Sequence, residues 1–190
     1  LANVVNEAAL AAARRGSETV ARRDFEQAVD RLQLGLEKRG GLLSPEEKRR
    51  VAWHEAGHTL AALSVEHADP VHRVTIIPRS IGALGATLQL PDQERTLLTR
   101  DQLLDRVCVL MGGRAAEELA LGDTSTGAHN DLERASELAR QMACRFGMSR
   151  ELGPVSYGRP GGPRFLDVGG GEERNYSEKT AQAIDAEVRR

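Results

Sequence analysis

The sequence has few cysteines, few aromatic residues and no long apolar run. Its two cysteines, Cys108 and Cys144, fall in helical patterns, so a disulfide-stapled secreted domain is not expected and a reducing compartment is favoured. No segment approaches the roughly 18 to 20 apolar residues that cross a bilayer, so we expect a soluble fragment. Aromatic residues make up only 3% of the 190 residues, which predicts an aliphatic core of leucine, valine, isoleucine and alanine.

The chain also lacks a large excess of positive or negative charge. The chain has 26 Lys and Arg against 28 Asp and Glu, a formal net charge of -2. No overall electrostatic attraction to nucleic acid or to anionic lipid follows from this balance, and we expect neither as a partner. The chain begins without methionine or a signal-peptide pattern, so we interpret it as part of a longer protein.

The pattern of apolar, glycine and proline residues divides the chain into three parts. Two short helices are expected within residues 1–34, and a composition change at 35–43, around Gly40 and Gly41, indicates a linker. The sequence Ser44-Pro45-Glu46-Glu47 is a capping box that predicts the start of a third helix and of a unit over 44–190, truncated at its C-terminus.

Within residues 44–190 we predict mainly helix with a small β-sheet. The predicted elements are a helix from 44 to about Glu66, strands over Val71–Pro78 and Ala86–Leu90, a helix from Thr99 to about Leu121 interrupted at Gly112-Gly113, a helix over 132–146 closed by Gly147, a loop over 153–171, and a helix capped by Ser177. Strand 86–90 could pair with an extended substrate backbone, or could be an ordinary structural hairpin.

The motif His54-Glu55-Ala56-Gly57-His58 lies inside the best-capped predicted helix. Helical spacing of four places both imidazoles on one face, where two neutral ring nitrogens can bind one Zn²⁺. Glu55 lies on the adjacent shoulder of the helix and is the candidate general base. The alternative is a helix that contains two histidines and a glutamate by chance. The preceding residue, Trp53, is expected to pack in the core.

A catalytic zinc site takes three protein ligands, so a third ligand must come from elsewhere in the chain. His67 lies nine positions after His58, which does not match the metzincin spacing and excludes that class. The donors left open are Glu66, Glu94, Glu117, Glu118, His129 and Asp131. Glu117 has a second interpretation, as a carboxylate that hydrogen-bonds a ligand imidazole, and a third, as part of a solvated helix face.

Four motifs occur in a specific order: 54–58, Gly112-Gly113-Arg114-Ala115-Ala116-Glu117-Glu118, Ser125-Thr126-Gly127-Ala128-x-x-Asp131-Leu132, and Phe146-Gly147-Met148-Ser149. Together they resemble the peptidase domain of the FtsH family, which are membrane-anchored AAA+ zinc proteases, over about 44–190. Residues 1–34, with Asn6-Glu7-Ala8-Ala9-Leu10 and Asp24-Phe25, resemble the last helices of that family's ATPase lid.

The resemblance implies a site and an activity. Asp131 is implied as the third zinc ligand beside His54 and His58, with one Zn²⁺ per chain and Glu55 as the base. The implied function is the endopeptidase domain of an ATP-dependent protease that degrades unfolded or extracted proteins as a homohexamer. The intact protein is expected to be anchored in a membrane by segments absent here, with this domain on the cytoplasmic, matrix or stromal side.

The resemblance also leaves two alternatives open. No Gly-x-x-x-x-Gly-Lys-Ser/Thr phosphate loop occurs, so ATP is expected to bind only in the intact protein. One alternative is a stand-alone gluzincin-like peptidase with Glu117 or Glu118 as ligand. The other is a non-catalytic hexamerisation module of an AAA+ protein, with the motif metal-free or structural.

Overall fold

The computed structural model describes residues 1–37, 43–78, 84–92, 95–158 and 174–190. The helices in these ranges are α1 (Ala2–Arg14), α2 (Arg22–Leu34), α3 (Pro45–Ser64), α4 (Arg100–Leu121), α5 (His129–Cys144) and α6 (Glu178–Arg189), with a 3₁₀ turn at Thr126–Ala128 and strands β1 (Val71–Thr75) and β2 (Ala86–Gln89). The predicted class, mainly α with a small sheet, is confirmed. Residues 38–42 of the predicted linker, residues 159–171 of the predicted loop, and Glu94 lie outside the described ranges.

Side-chain caps place the helix starts where the sequence predicts them. Ser44 accepts a hydrogen bond from the Glu47 N–H at 3.1 Å, and the Glu47 carboxylate accepts one from the Ser44 N–H at 2.7 Å. Thr99 and Gln102 make the same reciprocal pair at the start of α4. Each pair satisfies two backbone donors that have no partner inside the helix, so both helices begin at a fixed residue.

The two strands form an antiparallel pair that lies against α3. Val71 is opposite Gln89 and Thr75 is opposite Ala86, with an irregularity between Val71 and Arg73. Both strands are shorter than predicted, ending at Thr75 and Gln89. After Thr75, its hydroxyl accepts the Ile77 N–H at 3.1 Å, and this local hydrogen bond competes with continuation of the ladder.

Helices α3 and α4 form the main helix contact, through glycines of both. A Cβ atom placed on Gly57 would lie 2.3 Å from the carbonyl oxygen of Gly112, and one on Gly112 would lie 2.7 Å from that of Gly57. The prediction that Gly112-Gly113 interrupts the helix is wrong, because α4 runs unbroken through both residues. The glycines instead allow the two backbones to approach closely.

Trp53 does not pack in the core, contrary to the sequence prediction, and is 42% exposed. The buried face of α3 carries Glu55, Gly57, His58 and Ala62. Trp53 lies seven positions before Leu60, about 20° from it around a helix of 3.6 residues per turn, and Leu60 is also exposed. This stripe of α3 therefore points away from Glu55, His58 and Ala62.

The outer elements have their own buried groups. Ala143, Cys144 and Ile184 form the cluster that joins α5 to α6. In the α1–α2 pair, Asp24 is 2% exposed and accepts hydrogen bonds from Arg15 and from the Ala21 N–H.

None of the helices in the described ranges combines the length and apolar character that a bilayer crossing requires.

Candidate metal centre

Three side chains from two helices converge beside the α3–α4 contact. His54 and His58 come from successive turns of α3, and Asp131 comes from the first turn of α5. Asp131 Oδ2 lies 3.2 Å from His54 Nε2 and 3.4 Å from His58 Nε2, and one donor atom from each residue lies within 4.8 Å of the others. Their side chains are only 11%, 11% and 18% exposed, so the three donors form a group shielded from bulk water.

A backbone carbonyl fixes the orientation of His58. His58 Nδ1 lies 2.7 Å from the carbonyl oxygen of Val109 on α4. A carbonyl oxygen can only accept, so Nδ1 carries the hydrogen and donates it. In the neutral ring, Nε2 then has the lone pair, and this nitrogen is the one that faces His54 and Asp131.

Glu117 of α4 fixes the orientation of His54 in the same way. His54 Nδ1 lies 2.7 Å from Glu117 Oε1, and Glu117 Oε2 accepts hydrogen bonds from the Ser125 N–H at 2.8 Å and from Arg50 at 3.2 Å. Burial raises the pKa of Glu117, but the hydrogen bonds from Ser125, His54 and Arg50 outweigh this and hold the pKa below its ordinary value. The carboxylate is therefore ionised, and His54 Nδ1 donates to it.

These tautomers leave two lone pairs facing each other. His54 Nε2 and His58 Nε2 are 3.0 Å apart, and two neutral acceptors at that distance repel unless a cation lies beside them. Burial lowers the pKa of both histidines, but Asp131, helped by Glu117 at His54 and by the Val109 carbonyl at His58, raises it above the ordinary value. The centre thus favours positive charge, and two imidazole nitrogens with one carboxylate oxygen are a donor set that suits Zn²⁺.

The third donor is ionised as a metal ligand must be. Burial raises the pKa of Asp131, but hydrogen bonds to His54 and His58 and the charges of these rings shift it far below the usual range. Asp131 lies in the first turn of α5, which begins at His129, three residues earlier than predicted, directly after the turn at 126–128. The position also favours a carboxylate, because the N-terminal turn of a helix attracts negative charge.

Gly113 of α4 borders this centre and was missed by sequence reasoning, which assigned it to a helix break. A Cβ atom at this position would lie 2.5 Å from His58 Nε2 and 2.7 Å from His54 Nε2. The glycine therefore leaves the Nε2 atoms of His54 and His58 uncovered. Two adjacent glycines inside an otherwise strong helix pattern were the available signal.

Glu55, between the two histidines in sequence, is 6% exposed and faces the β-sheet. Its Oε2 accepts a hydrogen bond from the Thr87 hydroxyl of β2 at 2.7 Å. Burial raises the pKa of Glu55, and the Thr87 hydrogen bond and nearby histidines offset only part of this. The elevated pKa brings this carboxyl closer to the range in which a side chain can both take up and release a proton.

The other candidate zinc ligands that the structure describes do not join His54, His58 and Asp131. Glu66, Glu118 and His129 are exposed on the surface. His67 donates its backbone N–H to Asp105 at 3.0 Å and pairs its ring with the same carboxylate at 2.8 Å, joining the end of α3 to α4. Among the described residues, only His54, His58 and Asp131 converge as a group that could hold a metal ion.

Comparison with known proteins places the chain in a family. The profile of Peptidase family M41 matches residues 41–190. Relatives named ATP-dependent zinc metalloprotease FtsH include one from Syntrophobacter fumaroxidans at 54% identity and one from Thermotoga maritima at 50%, and a relative from Sorangium cellulosum named ATP-dependent zinc metalloprotease FtsH 1 is 56% identical. Each match covers 100% of this chain and about 30% of the relative. Because the match extends over the motif helix, the paired glycines and the Asp131 helix alike, the chain belongs to peptidase family M41.

Proposed function

We propose that this chain is the zinc-dependent endopeptidase domain of an ATP-dependent protease. His54, His58 and Asp131 would hold the ion, and the observation that carries this is the 3.0 Å separation of the two Nε2 atoms beside an ionised carboxylate. Bound Zn²⁺ would supply Lewis-acid chemistry, polarising a scissile carbonyl and acidifying a water molecule.

Glu55 would move the protons in this reaction. It is adjacent to His54 in sequence, its pKa is raised by burial, and its carboxylate is held by Thr87 from the neighbouring strand. In the proposed role it takes a proton from the attacking water and delivers it to the leaving amine. Glu117 and the Val109 carbonyl keep the two imidazoles in the tautomer that a metal ligand requires.

The substrate would bind as an extended backbone beside the site. Strand β2 pairs with β1 along one edge and carries the Thr87 contact to Glu55, so a chain paired along β2 would pass next to the candidate base. Backbone pairing tolerates many sequences, which suits an enzyme that degrades unfolded or extracted proteins. A structural hairpin with no substrate contact remains the alternative for these strands.

The context of the whole protein follows from the relatives rather than from this chain. Since the chain spans about 30% of their length, ATP dependence, a homohexameric ring and a membrane anchor are proposals drawn from the family. We likewise propose that residues 1–34 are the end of an ATPase lid. Helices α1 and α2 lie outside the 41–190 match, which supports a boundary between the two parts.

The geometry is less favourable to the two alternative functions, a gluzincin-like peptidase and a non-catalytic hexamerisation module. Glu117 contacts Nδ1 of His54, on the opposite side of the ring from the nitrogen that faces Asp131, and Glu118 is exposed. A gluzincin-like site built on either glutamate would therefore need these side chains to move. A purely structural module would not require Glu55 to be buried with a raised pKa.

The test is the substitution Glu55→Gln, which preserves shape and removes the base. Zinc content, measured by inductively coupled plasma mass spectrometry, should remain near one per chain, while casein hydrolysis should fall by about 100-fold or more. An active variant would end the assignment of Glu55 as the base. Loss of zinc from the variant but not from the unmodified chain would show instead that Glu55 helps to hold the metal.

A further inference from the structure

One hydroxyl group of the β-sheet contacts the candidate base directly. Thr87 Oγ1 lies 2.7 Å from Oε2 of Glu55 and 3.2 Å from the Glu55 main-chain oxygen. The hydroxyl has a single hydrogen, and a bond to an ionised oxygen is shorter and stronger than one to a neutral carbonyl. The hydrogen is therefore directed mainly at the carboxylate, across 32 residues of sequence.

The other carboxylate oxygen lies against a glycine of the same segment. A Cβ atom placed on Gly85 would lie 2.6 Å from Glu55 Oε1 and 2.9 Å from Glu55 Cγ. Residues 85–87 thus lie beside both oxygens of Glu55: the Thr87 hydroxyl bonds one, and the lack of a side chain at Gly85 leaves room for the other. A larger residue at position 85 would occupy the space that the carboxylate now fills.

A buried glutamate needs such contacts to have one defined position. The Glu55 side chain can adopt many rotamers, and holding it in one of them costs side-chain entropy. A general base acts only from within hydrogen-bond distance of the proton that it removes, so its orientation decides its efficiency. Neither His54 nor His58 supplies this orientation, because their hydrogen bonds go to Glu117, Val109 and Asp131.

We propose that Thr87 is a positioning residue for the general base, with Gly85 providing the space. The hydroxyl holds the Glu55 carboxylate in the orientation used for proton transfer, before substrate arrives. This inference rests on the proposed endopeptidase function and adds a residue of the sheet to it. Helix α3 therefore supplies the base, and strand β2 determines where the base points.

The experiment compares two substitutions at one position in the zinc-loaded 190-residue chain. Thr87→Val removes the hydroxyl but keeps the branched shape and the strand preference, whereas Thr87→Ser keeps the hydroxyl. Thr59→Val is the matched control, since the Thr59 hydroxyl bonds the main-chain oxygen of Glu55 at 2.8 Å and not its carboxylate. The kinetic readout is kcat and KM on a fluorogenic casein-derived peptide, with zinc content measured in parallel.

We expect Thr87→Val to lower kcat by about 10- to 100-fold with little change in KM and with zinc retained, as for other groups that orient catalytic residues. Thr87→Ser should restore kcat to within about threefold of the unmodified chain, and Thr59→Val should leave both constants unchanged. A Thr87→Val variant with normal kcat, or one that changes only KM, would overturn the proposal. An equal loss of activity in Thr59→Val would also overturn it, because the effect would then be general.

A second readout does not depend on activity. In crystals of the metal-free protein, Glu55 should keep one rotamer in the unmodified chain and should leave it in Thr87→Val and in Gly85→Ala. An unchanged Glu55 rotamer in Thr87→Val would overturn the inference, and an unchanged rotamer in Gly85→Ala would overturn the part assigned to Gly85. If the zinc-loaded unmodified chain does not cleave peptides, the proposed function fails, while the rotamer comparison still decides whether Thr87 positions Glu55.

Discussion

His54 Nδ1 donates a 2.7 Å hydrogen bond to Glu117 Oε1, a carboxylate 63 residues further along the chain. Glu117 is 1% exposed and is itself held by Ser125 and Arg50. The orientation of the first imidazole is therefore set by α4 and by the turn after it, and not by the motif helix alone. Burial of an ionised carboxylate is tolerated here because each of its oxygens accepts a hydrogen bond.

Glu117→Gln should weaken zinc binding without abolishing it. The amide oxygen can still accept from His54, but the charge that strengthens this bond is lost, so affinity should fall by about 10- to 100-fold. Competition with a chelator measures the change, and the exposed neighbour substitution Glu118→Gln should have no effect. Asp131→Ala should lose zinc far more completely. A larger loss of zinc in Glu117→Gln than in Asp131→Ala would favour Glu117 as the third ligand.

Gly57→Ala should destabilise the protein, against the expectation from helix propensity. In an exposed helix interior, replacing glycine by alanine stabilises by about 0.5 to 1 kcal/mol. Here the new methyl would lie 2.3 Å from the Gly112 carbonyl oxygen, and overpacking of this kind destabilises by roughly 1 to 3 kcal/mol. The free energy of unfolding, measured in urea, should rise in Gly57→Ala if helix propensity dominates and should fall if the packing of α3 against α4 dominates. A stabilised variant would show that α3 and α4 are not in close contact.

Local chemistry in the sequence was sufficient to predict the order of the helices and strands and the starts of α3 and α4. Capping boxes at Ser44 and Thr99 act over four residues, so they can be recognised without knowledge of the fold. The helix ends and the role of the glycines were less predictable. Gly112 and Gly113 lower helix propensity locally, but packing against α3 overrides that preference, and only the tertiary structure reveals the partner.

For the site, the histidine motif was evident because its spacing is local, whereas its supporting contacts are not. Asp131 was one of six candidates until the family resemblance selected it. Thr87 and Val109 carry no recognisable pattern, since a strand hydroxyl and a backbone carbonyl acquire their roles only when the sheet and α4 pack against α3. Arg50 likewise gains its contact with Glu117 across 67 residues.

Zinc binding should weaken on acidification from a pH above 6.5, the ordinary pKa of histidine. The pKa values of His54 and His58 in the metal-free protein lie above this value, so protons compete for Nε2 at a higher pH than in an unperturbed histidine. Affinity should fall by about tenfold per pH unit for each proton displaced, with proton release detectable by calorimetry in buffers of different ionisation enthalpy. His72→Gln, at an exposed histidine, is the control. A profile that begins to fall only well below pH 6.5 would contradict the raised pKa values.

Asp24 should stabilise the α1–α2 pair at neutral pH and lose that contribution in acid. The hydrogen bond from Arg15, followed by that from the Ala21 N–H, lowers the pKa of Asp24 below its ordinary value of 3.8. A depressed folded-state pKa contributes stability above the ordinary value, and this stability is lost as the pH falls through and below 3.8. The difference in Tm between the unmodified chain and Asp24→Asn should therefore shrink in that window. With Glu18→Gln, an exposed carboxylate, the difference should stay small throughout.

The isolated chain should cleave unstructured proteins without ATP and leave folded ones intact. Peptide hydrolysis requires the metal centre, the base and access to an extended backbone, whereas unfolding a stable domain opposes roughly 5 to 15 kcal/mol. The sequence contains no phosphate loop with which this chain could couple ATP hydrolysis to that work. Gel-based degradation of casein and of a stably folded substrate, each with and without ATP, measures both parts of the prediction. Loss of the folded substrate only when ATP is present would contradict this division of labour. Cleavage of neither substrate by zinc-loaded protein would contradict the proposed endopeptidase function, because the metal and the base would then be present without activity.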